Sequence, residues 1–194
     1  SFFMRKNFAN TYEVTQLEDF KRDMEFLRGK VLYFDFESTG LDYWSLDFKA
    51  TAFGYVLSPE CARVIMLDHQ DSPWNQDQLR EIYSVMAPLF SCRKTIKVAA
   101  NIKYDLHIIR RYVTENIQGQ LEDVLMMQFV LDPTAKCSLK AIVAHYYPEF
   151  AGYDDEVDFK TSPKDVLIPY CGIDCLMLYF LRLKFIPLLL ENGA

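Results

Sequence analysis

Phe34-Asp35-Phe36-Glu37-Ser38-Thr39-Gly40 is the stretch whose reading decides the fold. It closes an apolar run that begins at Val31, so it reads as the end of a β-strand followed by a Ser-Thr-Gly turn. On a strand, Asp35 and Glu37 point to one face while Phe34 and Phe36 point to the other, into a core. Two adjacent carboxylates repel each other in an apolar setting unless a cation lies between them. The carboxyl end of a strand is also where α/β sheets open their ligand crevice. Asp-x-Glu alone is common by chance, and a solvated strand end is the ordinary alternative.

Working outward, residues 17–27 carry apolar side chains at helical spacing, and residues 49–57 and 63–67 read as two further strands. Residues 76–89 read as a helix, 95–100 as a short buried strand and 104–113 as a helix directly after it. Two more helices are expected over 121–131 and 138–146, then an acidic, aromatic loop over 152–162. A last helix is expected over 163–183, with a kink near Pro169. Residues 1–15 read as an arm. The order of elements predicts an α/β fold, a mixed sheet with helices on both faces.

Two other short stretches carry acids. Asn101-Ile102-Lys103-Tyr104-Asp105 follows a strand, so Asp105 opens a helix at the same sheet edge as Asp35 if those strands are parallel. Asp105 also suits a first helical turn, and Asn101 suits the N-cap. In Tyr170-Cys171-Gly172-Ile173-Asp174, Tyr170 and Asp174 are four apart on one helical face among apolar neighbours. A buried aspartate needs a partner or a metal. Brought together, Asp35, Glu37, Asp105 and Asp174 have the chemistry to hold two divalent cations, with Tyr170 positioning a water, which is equipment for cutting phosphodiester bonds.

Composition sets limits. A chain of 194 residues that is 51% hydrophobic and 15% aromatic suits one packed domain, here taken as 1–194. The net charge of -6 argues against unaided grip on nucleic acid but not against a metal-dependent nuclease, since bound cations invert the local sign. Five cysteines without a C-x-x-C pair read as reduced thiols of a cytoplasmic, intracellular protein. No signal-peptide pattern is visible, and the apolar window 176–190 is too short and too charged to span a membrane. His69, His107 and His145 have no metal-ligand spacing.

The three stretches, in this order, resemble the motifs of the DEDDy 3'–5' exonucleases, and Asn-x-Lys-Tyr-Asp resembles most closely the proofreading domain of family A, DNA polymerase I-like polymerases. Ribonuclease D-type relatives usually lack that Lys-Tyr pair. The resemblance covers roughly residues 13 to 190. Relatives often read Tyr-Ala-x-x-Asp in the third motif, where Cys171 and Gly172 stand here. The resemblance implies a ribonuclease H-like (DnaQ-like) mixed five-stranded sheet flanked by helices. It implies catalytic Asp35, Glu37, Asp105, Tyr170 and Asp174, with two Mg²⁺ or Mn²⁺ ions on the four acids. It further implies removal of nucleoside 5'-monophosphates from a single-stranded or frayed DNA 3' end.

Leu41 matches a position where relatives wedge an apolar side chain between the last bases, and Asn101 would bind the terminal sugar-phosphate. Tyr153 and Phe159 are candidates to stack a base, with simple packing as the alternative. Lys103, Arg110, Arg111, Lys136 and Lys140 are basic candidates for the backbone, most of them ordinary solvated surface. Residues 184–194 read as the start of a linker to a polymerase domain. RNA trimming of the ribonuclease D type and a catalytically silent binding or structural module are the alternative functions. The source, whether bacterial, phage or organellar, stays open.

Overall fold

The structure is a computed structural model that describes residues 10–193. Its elements are β1 (Thr11–Glu13), α1 (Leu17–Leu27), β2 (Val31–Ser38), β3 (Ala50–Ser58), β4 (Cys61–Met66), α2 (Gln76–Ser91), β5 (Ile96–Ala99), α3 (Ile102–Tyr112), β6 (Leu121–Asp123), α4 (Val124–Leu131), α5 (Leu139–Tyr146) and α6 (Lys164–Glu191). A 3₁₀ turn, Pro148–Phe150, follows α5. The strands form one sheet in the order β1-β4-β3-β2-β5-β6. β2, β3 and β4 run antiparallel, whereas β5 is parallel to β2, β6 to β5 and β1 to β4.

The alternation read at 34–37 holds. Phe34 and Phe36 pack with Phe53 and Phe90, the Phe36–Phe53 ring centroids being 4.8 Å apart. Phe20 and Met24 of α1 and Ile82 and Met86 of α2 complete that core. Helix α6 covers the opposite face of the sheet, where Cys175, Leu176 and Leu178 meet Tyr33, Val56 and Val98. Rings and aliphatic side chains withdrawn from water on both faces are the main stabilising term.

Local signals fix several ends. Asn75 and Gln78 form a reciprocal capping box at the start of α2. Ser138 accepts from the Ala141 N–H at the start of α5. Gly29, at φ +84°, takes the left-handed turn after α1.

Three expectations need correction. The sheet has six strands, because Thr11–Glu13, read as part of an arm, pairs with the open edge of β4; residues 1–9 of that arm lie outside the described residues. Residues 121–123 are not helical: β6 pairs with the edge of β5, and Asp123 then caps α4 by accepting from Leu125 N–H. Three-residue strands are too short to display alternation. Finally, α6 does not stop at Leu183 but continues through Pro169 and Pro187 to Glu191. Each proline removes one helical hydrogen bond, and the buried apolar face of α6 outweighs the loss.

Candidate active site

β2 and α6 bring the first and third acidic stretches into contact, and α3 adds the second from behind. Asp35 faces Gly54 across the β2–β3 pair, on the side covered by α6. A side chain at position 54 would meet α6, since an added Cβ would lie 2.7 Å from Cys171 Sγ and 2.8 Å from Cys175 Sγ. The missing side chain lets the helix approach until the Asp174 charge bears directly on Asp35. Because β5 is parallel to β2, α3 starts at the same edge. Asp105 is buried there and accepts from the Phe36 N–H at 3.3 Å. Tyr104 clamps the first stretch, bonding Ser38 Oγ at 2.6 Å and the Gly40 carbonyl.

Four carboxyls enclosed in this way are costly as anions. Burial first, and then the Asp174 charge, pushes Asp35 up to about 7. Burial, with Asp35 next, raises Glu37 and Asp105 well above the usual carboxylate range. Among the described residues lining the cavity in front of these acids, Lys140 is the one basic side chain. Its Nζ lies 2.9 Å from Asp174 Oδ1 and 4.4 Å from the centre of the Tyr170 ring. Burial would lower this ammonium, but Asp174, Asp35 and Glu37 together hold it above the ordinary lysine value.

The cavity measures about 640 Å³ and is walled by Asp35, Glu37, Leu41, Asn101, Lys140, Phe159, Tyr170 and Asp174, among others. Its size suits a small ligand or a strand end rather than a duplex. Tyr170 is buried, and among the described residues its hydroxyl has no hydrogen-bond partner. Leu41 is 78% exposed and Phe159 is 44% exposed, both at the cavity. Asn101 also lines it, in a left-handed conformation with φ 56° that asparagine tolerates.

Some side chains lie elsewhere than expected. Tyr153 is buried, its ring 5.8 Å from that of Tyr170, and its hydroxyl donates to Asp174. It therefore offers no open face to a base. Lys103 is exposed on α3 and does not line the cavity, because the helix turns it outward. Asn101 sits at the N-cap of α3 without capping it. Asp123 accepts from Asn101 N–H and Ile102 N–H at 3.0 Å each instead, which frees the asparagine side chain. Lys140, grouped in the sequence with ordinary surface bases, is the residue that sequence reasoning undervalued. Nothing local separates it from Lys136; only the packing of α5 against α6 does.

Comparison with known proteins follows the same direction. A family model described as 3'–5' exonuclease, of the exonuclease domain of A-type DNA polymerases, matches residues 10–189. A DNA polymerase of Bacillus phage SP01 is 22% identical over 99% of this chain, and the chain spans 24% of that polymerase. Among solved structures, the catalytic core of RRP6 from Trypanosoma brucei matches with a TM-score of 0.69 at 15% identity, covering 94% of this chain and 48% of that one. NrnC of Brucella melitensis bound to pGG matches with a TM-score of 0.66 at 15% identity, covering 95% and 82%. NrnC has also been solved with bound Mg²⁺. The α/β fold is thus that of the ribonuclease H-like exonucleases.

Proposed function

The chain belongs to the 3'–5' exonuclease family of A-type DNA polymerases, and on that premise we propose that it hydrolyses the last phosphodiester of a single-stranded or frayed DNA 3' end. The products would be nucleoside 5'-monophosphates, and the role would be proofreading beside a polymerase domain. The observation that carries this reading is the convergence of Asp35, Glu37 and Asp174 with Tyr170 at one cavity, with Asp105 buried directly behind on the Phe36 N–H. The phage polymerase similarity over nearly the whole chain favours DNA. Among the described residues, no helix is long and apolar enough to cross a membrane.

The donor set suits hard divalent ions. Asp35, Glu37 and Asp174 face a single ammonium at the cavity, with Asp105 behind them, and oxygen donors of this kind take Mg²⁺ or Mn²⁺. Asp35, Glu37 and Asp174 would hold one ion, and Asp35 with Asp105 a second. Such a pair supplies Lewis acidity for water attack and offsets charge on the phosphate. The protein's own groups do the rest. Tyr170 orients the attacking water through its free hydroxyl. Lys140 pairs with Asp174 and has N–H groups to spare for a phosphate oxygen. Leu41 and Phe159 clasp the terminal base, and Asn101 holds the adjoining sugar-phosphate.

The test is degradation of a 5'-labelled single-stranded DNA, with Mg²⁺ or Mn²⁺ against EDTA, beside an RNA of the same sequence. A metal-dependent ladder shortening from the DNA 3' end, abolished by D35A with E37A, is expected. Faster loss of RNA would replace the reading with ribonuclease D-type trimming. No cleavage of either by the folded protein would leave a silent binding module.

A further inference from the structure

The proposed hydrolysis makes no use of Cys171, although its thiol stands among the acids. Cys171 lies three residues before Asp174 on α6, on the same side of the helix. It is fully buried, with Sγ 3.8 Å from Asp35 Oδ2 and 3.9 Å from the Asp35 carbonyl oxygen. Among the described residues, Asp35, Glu37 and Cys171 form a set of metal-capable side chains whose ligand atoms all lie within 4.8 Å of one another. Cys175 lies one turn further on, also buried against Gly54. Gly54 leaves room for both sulfurs.

Resting on the exonuclease reading, we propose that Cys171 gives this metal centre a soft donor, so that Zn²⁺ or Cd²⁺ is held by its sulfur together with Asp35 and Glu37. Donors around one tetrahedral zinc stand roughly 3.5 Å apart, from metal–sulfur bonds of about 2.3 Å and metal–oxygen bonds of about 2.1 Å. The 3.8 Å between Cys171 Sγ and Asp35 Oδ2 needs little adjustment to meet that spacing. On binding, the S–H bond breaks heterolytically: the electron pair stays on sulfur and forms the bond to the ion, and the proton passes to buffer. Nothing is oxidised or reduced. Mg²⁺ demands oxygen donors in near-octahedral array and gains nothing from the sulfur, whereas thiolate favours zinc-like ions. Thiophilic ions therefore compete for the seat that Asp35 and Glu37 would offer to Mg²⁺, and trace zinc or cadmium silences the exonuclease.

The probe is Cd²⁺ alone, without nucleic acid, titrated into protein carrying Cys137→Ser, since Cys137 is exposed at the cavity. The readouts are the ultraviolet sulfur-to-cadmium charge-transfer band and calorimetric affinity. A band is expected in this background and in Cys175→Ala, and its loss in Cys171→Ser and Cys171→Ala. Cadmium affinity should fall in both Cys171 variants by at least the roughly tenfold that even an outer-shell change costs, and far more than Mg²⁺ affinity. Either Cys171 variant, shown folded by circular dichroism, suffices. A band that survives loss of Cys171, or no band in the Cys137→Ser background, overturns the proposal. A Mg²⁺-dependent DNA ladder without a band sinks this inference alone; a band without a ladder sinks the exonuclease reading alone.

Discussion

Raising the pH of the metal-free protein should destabilise it, and Asp35→Asn should remove much of that loss. Burial, followed by the charge of Asp174, lifts Asp35 from 3.8 to about 7. A carboxyl whose folded-state pKa is raised contributes stability that is complete below its unfolded value and is lost as pH climbs through the folded one. For Asp35 that window runs from 3.8 to about 7. About three units at roughly 1.4 kcal/mol each give at most about 4 kcal/mol. Partial opening to the cavity, where solvent screens the charge, reduces this figure. One kcal/mol moves Tm by roughly 2–4 °C in a domain of this size, so scanning calorimetry in EDTA should show Tm falling by several degrees between about pH 5 and about pH 8. Asparagine keeps the shape without the charge. The variant should melt above wild type at about pH 8, with the gap narrowing toward about pH 5. Millimolar Mg²⁺, binding only the folded state, should raise the wild-type Tm at the alkaline end and raise the variant's much less. A metal-free Tm that is flat across this range, or a variant no more stable than wild type at the alkaline end, would refute the reasoning.

Tyr170→Phe should slow hydrolysis on the order of 100-fold while calorimetry still detects Mg²⁺ binding; an unchanged rate would remove the tyrosine from its assigned role. Lys140→Met leaves Asp174 with the Tyr153 hydroxyl and acidic neighbours, so turnover of labelled DNA should drop by about 100-fold; a wild-type rate would place Lys140 outside the chemistry. At Gly172, an added Cβ would run into the Oγ1 and Cγ2 atoms of Thr11. Gly172→Ala should cost about 1–3 kcal/mol in denaturant unfolding, and adding Thr11→Ala should restore most of it. Failure of that rescue would argue against the seating of β1 over α6.

The sequence by itself determined the α/β class, most helices and strands, and which four acids and which tyrosine folding could bring together. It did so because those signals are local: alternation on β2 sorts Asp35 and Glu37 from Phe34 and Phe36, and a four-residue step puts Tyr170 and Asp174 on one side of α6. Tertiary structure alone decided what faces these groups. β1 and β6 exist because sheet edges were open to short segments with no pattern of their own. Asp123 rather than Asn101 caps α3, because β6 delivers its carboxylate there from more than twenty residues away. Tyr153 turns inward to Asp174, and Lys140 is drawn from apparent surface to the Asp174 carboxylate. Cys171 comes to lie beside Asp35 because Gly54, distant in sequence, leaves room for it. A lysine or a cysteine has the same local signature whether it meets water or a carboxylate cluster. Its surroundings depend on contacts between segments far apart in the chain, and those exist only once the sheet and α6 have packed together.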